Sequence, residues 1–279
     1  MPVRIVTDST CDLPAALTAE LGVTVVPLTV VFGDEAPLRD GVDIQPAEFY
    51  ERLQSSPRLP KTSQPSVEAF RAAYDAVPEG EEIVSIHVSS RLSGTLNAAS
   101  VAREELATSR HIELIDSYSV SVGLGAIVMD AAEAARAGAS LAEVVAIARR
   151  SMDRVHVICL VDTLEYLQKG GRIGRAQSML GSLLSIKPVL HVENGEVAPL
   201  ERVRTRAKGI ERLRQLATAD RTIRRLMVAA GGDDALAVAF AESVAHELPH
   251  TEIQITQIGP VVGVYTGPNC LGICTVRRD

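Results

Sequence analysis

The chain has 279 residues, 46% of them hydrophobic and 23% charged, the balance of a globular protein with one large domain or two modest ones. A formal net charge of −7 and the lack of any Trp remove the basic surface and the stacking platform that nucleic-acid binding uses. No apolar run reaches membrane-spanning length and no signal-peptide pattern opens the chain, so the expectation is a cytoplasmic protein without a membrane span. Cys11, Cys159, Cys270 and Cys274 include a single C-x₃-C pair with no second pair to complete a zinc site. They are expected to be buried thiols, with no metal bound.

Residues 3–7 read as a first strand, and Asp8-Ser-Thr-Cys-Asp12 as the turn that ends it. Asp8 and Asp12 are conceivable metal ligands, but turn and cap chemistry accounts for them. A short helix (15–21) leads to a second strand over 23–31, where Pro27 marks a sheet edge or a bend. After an acidic, turn-rich stretch comes a helix containing Phe49, Tyr50 and Leu53. Thr62-Ser63-Gln64-Pro65-Ser66 then precedes a helix over 67–76 with Ser66 as its cap.

The most informative stretch is Ser89-Ser-Arg-Leu-Ser-Gly-Thr95, between a β-branched strand (83–88) and an Ala-rich helix. A strand, a hydroxyl-rich turn and a helix start form an anion site in many α/β sheets, because the first helical N–H groups are unpaired and the dipole is positive there. Ser and Thr also cap helices with no ligand at all. Four hydroxyls with an Arg and a Gly favour a site for a small anion. A third hydroxyl-rich turn (117–121) follows the strand 112–116, and helices over 124–137 and 141–152 follow it. Alternating strand and helix predicts a parallel sheet with helices on both faces. The turns at 8–12, 89–95 and 116–121 should converge at the carboxyl ends of its strands.

The second half reads as a strand (155–161), a helical turn (162–169), the break Gly170-Gly-Arg172-Ile-Gly174 and a helix over 176–186 that Pro188 ends. A hairpin through Asn194-Gly195 comes next. A basic run follows, with Arg202, Arg204, Arg206 and Lys208 entering a helix with Arg212 and Arg214. Two further strands flank a helix over 235–247, and a closing strand follows Gly259–Gly272. The domain boundary is placed near residue 152, giving 1–152 and 153–279.

Thr7-Asp-Ser-Thr10, Asp40-Gly41, Thr62–Ser66, Ser89–Thr95, Gly170–Ile173 and Gly259–Gly263 through Gly267-Pro268, taken together and in this order, resemble the DegV family of bacterial fatty-acid-binding proteins. The resemblance implies an N-terminal Rossmann-like domain, a C-terminal two-layer α/β sandwich and an acyl tunnel between them. It also implies a function as the FakB-type subunit that presents a fatty acid such as palmitate, stearate or oleate to a separate FakA-type kinase, which phosphorylates the carboxylate with ATP. On that resemblance Thr62, Ser63, Ser93, Gly94 and Thr95 hold the carboxylate, and Arg172, Tyr265 and Thr266 stand near the tunnel mouth. Leu180, Leu183, Leu184 and Ile186 are candidates for the tunnel wall, although helical spacing of this kind is commonly plain core. Arg202 and Arg204 are candidates for docking the kinase, although a basic run is commonly a solvated face. Neither a catalytic residue nor a cofactor is expected in the chain itself.

One departure stands out. The family commonly has His two residues before a Gly-Pro-Gly, where this chain has Tyr265-Thr-Gly-Pro-Asn269. A Tyr donates a hydrogen bond but does not titrate near neutral pH. A carrier without a kinase is therefore one alternative, and a hydrolase using Ser93 is another. The hydrolase lacks the first Gly of G-x-S-x-G and any recognisable His partner motif. Dinucleotide and ATP binding drop out, because neither G-x-G-x-x-G nor G-x₄-G-K-[ST] occurs.

Overall fold

The computed structural model describes residues 1–181 and 186–278. Strand β1 (Val3–Asp8) passes through a 3₁₀ turn (Ser9–Cys11) into α1 (Ala15–Leu21) and β2 (Val23–Val26). Strands β3 (Thr29–Val31) and β4 (Leu38–Arg39), helix α2 (Pro46–Ser55) and β5 (Lys61–Ser63) follow. Next come α3 (Val67–Asp75), β6 (Glu82–His87), α4 (Thr95–Glu105), β7 (Ile112–Asp116), α5 (Val122–Arg136) and α6 (Leu141–Met152). The second half begins with β8 (Val155–Leu160), α7 (Glu165–Lys169), a 3₁₀ turn (Gly174–Met179), β9 (Lys187–Glu193) and β10 (Glu196–Val203). It ends with α8 (Arg206–Thr218), β11 (Ile223–Ala230), α9 (Asp234–Ala245), β12 (Glu252–Gln257), α10 (Pro260–Thr266) and β13 (Leu271–Arg277).

The first sheet is parallel, in the order β2-β1-β6-β7. Its inner strands are mostly buried on both faces, as in a sheet covered on both sides; β6 is buried from Ile83 to His87, its polar Ser85 and His87 included. The second sheet, β10-β9-β8-β13-β11-β12, is antiparallel except for the pair β11–β12. Its hairpin turns at Asn194 (φ 52°) and Gly195 (φ 79°), the left-handed pair that a two-residue turn of this hand requires. Residue 152 is the last of α6, three positions before β8 begins.

The sheets meet across α5, which is buried without interruption from Val122 to Ala132. A helix apolar all round belongs inside a core, and α5 packs against β1 and β6 on one side and β8, β11 and β13 on the other. Gly125 lets it approach the 3₁₀ turn after β1, since a Cβ there would lie 2.6 Å from the Cys11 carbonyl oxygen. The polar exception on its buried length is Asp130, which pairs with buried Arg225 of β11 (Nη1–Oδ1 2.8 Å) and accepts from Ser151 Oγ (2.6 Å). Arg225 also pairs with Glu133 (2.5 Å) and Glu252 (2.9 Å).

Two expectations are corrected, and one helix was not expected. The stretch 23–31 is two strands: Pro27, which has no N–H to donate, separates β2 at the edge of the first sheet from β3. Strand β3 instead centres a small antiparallel sheet, β4-β3-β5, which carries Thr62 and Ser63 on a strand. The helix expected over 176–186 is instead a 3₁₀ turn that ends at Met179, with Leu180 extended and Pro188 inside β9. Leu183 and Leu184 lie outside the described residues. Finally, Pro260–Thr266 is a helix, although its run of valines hides it from propensity.

Two buried carboxylates pin α10 to the first half. Asp12 accepts from Gly259 N (3.0 Å) and Ser121 Oγ (2.5 Å), and Asp40 accepts from Ser9 Oγ (2.9 Å) and from the Val261 backbone. Burial chiefly, with the nearby Asp8 charge, raises Asp40 to about 7; burial likewise pushes Asp12 well above the usual carboxylate range. A carboxyl raised on folding holds its proton more tightly in the native state. Its contribution is full below the unfolded pKa and is lost as pH rises through the folded one. Urea unfolding between pH 5 and 8 should show stability falling as pH rises, and Asp40→Asn should flatten that fall. An unchanged slope in the variant would assign the dependence elsewhere.

Candidate functional site

The strand-end turns of the first sheet converge as the topology requires. Thr10 from the turn after β1, Ser93 from the turn after β6 and Val120 from the turn after β7 line one cavity of about 340 Å³. Its remaining walls come from β5, from Leu167 and Arg172 in and after α7, from Val197 of β10, and from α10.

The mouth is polar. Thr62 Oγ1 and Tyr265 Oη share a hydrogen bond of 2.5 Å across it. Ser93 Oγ accepts from Thr95 N (3.3 Å) and shares a bond with Thr95 Oγ1 (2.8 Å). Gly94 occupies the N-cap of α4 and offers no side-chain acceptor, so the positive end of that eleven-residue helix faces the mouth beside Ser93. Arg172 is the charged side chain of the lining. It donates to the carbonyls of Leu92 (3.1 Å) and Gly170 (2.9 Å), with its guanidinium 5.1 Å from the centre of the Tyr265 ring. An exposed cation is thus fixed at the rim by backbone acceptors and a ring face.

The depth is apolar. Val120, Leu167, Val197 and Val262 are shared with the wall of an adjoining hollow of about 70 Å³, whose other walls include Val157, Cys159, Leu190, His191, Ile258, Cys270 and Gly272. The Cys270 thiol is hydrogen-bonded to Cys159 and fully buried; both effects, the hydrogen bond first, raise it well above its usual value and keep it neutral.

The turns are held from beneath. Asp8 accepts from Thr10 Oγ1 (2.5 Å) and Val88 N (3.0 Å) and bonds His87 Nδ1 (3.0 Å), while His87 Nε2 reaches Ser85 Oγ (2.7 Å) and Ser85 reaches Tyr74 Oη (2.9 Å). Asp8, His87 and Ser85 have no solvent exposure, so this Asp–His–Ser array braces the turns and meets no substrate. Ser89, also fully buried, donates to the Gly195 carbonyl oxygen (2.8 Å) and accepts from Arg91 N (3.2 Å), tying the Ser/Gly turn to the β9–β10 hairpin.

The structure therefore gathers Thr62, Ser63, Ser93, Gly94, Arg172, Tyr265 and Thr266 around one space. Thr95 is buried behind Ser93 and does not line it. Leu180 is half-buried against the core, and neither it nor Ile186 lines the cavity or its deep hollow. Sequence reading missed Val120, Leu167, Val197 and Val262, whose only signal is their nearness to the polar motifs. Arg202 and Arg204 lie on the surface at and after the end of β10; Arg202 Nη2 donates to the Ser178 carbonyl oxygen (3.0 Å). A cleft of about 490 Å³ runs beside Asp12 and Asp40, but both carboxylates are engaged by protein donors. No group of three or more His, Cys, Asp or Glu placed to hold a metal ion occurs among the described residues. No helix among them is long and apolar enough to cross a membrane.

Fold and cavity together define an α/β protein of two sheets joined through a buried helix, with a slot between its halves that is polar at the mouth and apolar at depth. The chain belongs to the DegV family, whose model ("Uncharacterised protein, DegV family") matches residues 2–278. A DegV domain-containing protein of Streptomyces coelicolor is 38% identical over 289 aligned positions, covering 99% of both chains. A structure described as fatty acid binding of a DegV family protein from Thermus thermophilus superposes with a TM-score of 0.91 at 36% identity, over 100% of both chains. The structure of DegV of Bacillus subtilis, described as a fatty acid binding protein, superposes with a TM-score of 0.92 at 31% identity, again over 100% of both.

Ser89→Ala should cost about 1–3 kcal/mol, because it strands the buried Gly195 carbonyl and removes a tie between the halves. Chemical denaturation measures it, and a loss below about 0.5 kcal/mol would mean water replaces the hydroxyl.

Proposed function

We propose that the protein binds a long-chain fatty acid, with the carboxylate at the polar mouth and the acyl chain in the apolar slot. It then presents the acid to a separate FakA-type kinase subunit, which converts the carboxylate to an acyl-phosphate with ATP. The observation that carries this reading is a hydroxyl-lined cavity that shares Val120, Leu167, Val197, Val262 and Thr266 with an adjoining, mainly carbon-lined hollow. The fatty-acid-binding relatives of the same fold support it.

The chemistry is consistent. A carboxylate leaving water needs donors, and hydrogen bonds to a charged acceptor are the stronger kind. Thr62, Ser63, Ser93 and Tyr265 supply hydroxyls, and α4 supplies a positive helix end. Tyr265 takes the place of the family's His and keeps a donor beside Thr62. Each buried methylene contributes ~0.8 kcal/mol, so a sixteen-carbon chain gains on the order of 10 kcal/mol before ordering costs. Hydroxyl donors without a direct salt bridge leave the carboxylate more nucleophilic, which suits a group awaiting phosphorylation. In this reading Arg172 at the rim and Arg202 and Arg204 on the surface face the kinase, and the chain performs no catalysis of its own. A hydrolytic role for Ser93 lacks a base beside it: no His, Asp or Glu lines the mouth, and His191, which lines the deep hollow, has no hydrogen bond to Ser93.

Ser93→Ala should raise the Kd for palmitate or oleate by about ten-fold or more, the range of one hydrogen bond to a charged group; titration calorimetry reads this, and unchanged affinity removes Ser93 from the carboxylate site. Arg202→Ala combined with Arg204→Ala should leave that affinity intact while abolishing acyl-phosphate formation with the kinase subunit. Full turnover by the double variant would place the docking surface elsewhere.

A further inference from the structure

Gly272 is unlike every other buried glycine among the described residues. A Cβ added at each of the others would come within 2.8 Å of a neighbouring atom, so the space beside them is already filled. At Gly272 the nearest atom would be the Ala229 carbonyl oxygen at 3.8 Å. Close-packed interiors do not ordinarily leave such room beside a central strand. The backbone gives no reason for glycine either, because Gly272 pairs regularly with Cys159 on β8 and Ala229 on β11 and lies outside the left-handed region.

The direction of that space follows from strand alternation. Leu271 and Ile273 join the core beneath α8 and α9, whereas Cys270 and Cys274 join the core that contains α5. Gly272 shares the second face, and it is part of the wall of the 70 Å³ hollow that adjoins the ligand cavity. Its missing side chain leaves room in that hollow, whose walls include Gly272 but not Thr62, Ser63 or Ser93.

We propose that Gly272 sets the length of acyl chain the slot accepts, by leaving room for the terminal carbons against β8 and β13. This rests on the fatty-acid reading above. A valine at 272 suits a strand and would occupy the place of about two chain methylenes. Each methylene is worth roughly four-fold in affinity.

The test compares binding of the saturated acids of twelve, fourteen, sixteen and eighteen carbons to delipidated wild-type protein, Gly272→Ala and Gly272→Val, with thermal unfolding of each apo protein alongside. Gly272→Val should weaken the longest acid that wild type holds tightly by about fifteen-fold while leaving the twelve-carbon acid within two-fold. Gly272→Ala should give a loss of about four-fold on the same acid. If Gly272→Val does not fold, the alanine variant decides the matter alone. A length profile unchanged from wild type, or an equal loss at every length, overturns the proposal. Failure of wild type to bind any of the four acids would instead overturn the fatty-acid reading itself, before any variant is considered.

Discussion

The rest of the structure depends on α5 being buried on both sides. Once a helix is apolar around its circumference, each neighbouring sheet must offer it an apolar face, so the two halves share one core in place of two separate ones. Residues from Val3 on β1 to Val276 on β13 belong to that common cluster. The Asp130–Arg225 pair works within the same constraint. A buried charge without a partner is costly, so the pair contributes little net stability beyond an apolar alternative but penalises any other docking of α5 on β11 strongly.

That shared core explains where the slot lies. The carboxyl ends of the parallel strands can be closed only by something from the other half, and the β9–β10 hairpin and α10 supply it. Ser89 bonds the hairpin at Gly195, while Asp12 and Asp40 hold the start of α10. Between these fixed points valines and leucines face inward alongside the hydroxyls of the mouth, and the space they leave is the cavity. Its polar end lies where helix α4 begins and its apolar end lies against the second sheet, so a ligand with one charged end has a single favourable orientation.

Tyr265, where the resemblance leads to the expectation of a His, becomes intelligible in this setting. The residue sits at the end of α10, bonded to Thr62 and stacked beneath Arg172. A phenol fills that position as a permanent donor and a ring face at once. Within the proposed function, carboxylate binding then depends less on pH near neutrality than it would with an imidazole.

The sequence by itself determined the parallel strands β1, β6 and β7 with their following helices, the hydroxyl turns and their convergence, and the hairpin at Asn194-Gly195, but not the small sheet of β3, β4 and β5. These follow from local causes: β-branched runs, cap residues, left-handed turn positions and the topology of parallel sheets. The polar mouth was legible for the same reason, since Ser93, Gly94 and the Thr62-Ser63 pair stand in motifs. Only the tertiary structure decided the apolar wall, the 3₁₀ turn in place of a helix after Gly174, and the split of residues 23–31 between two sheets. A valine facing a cavity and a valine facing core have the same local pattern. What separates them is whether an atom from a distant strand fills the space beyond, and at Gly272 none does.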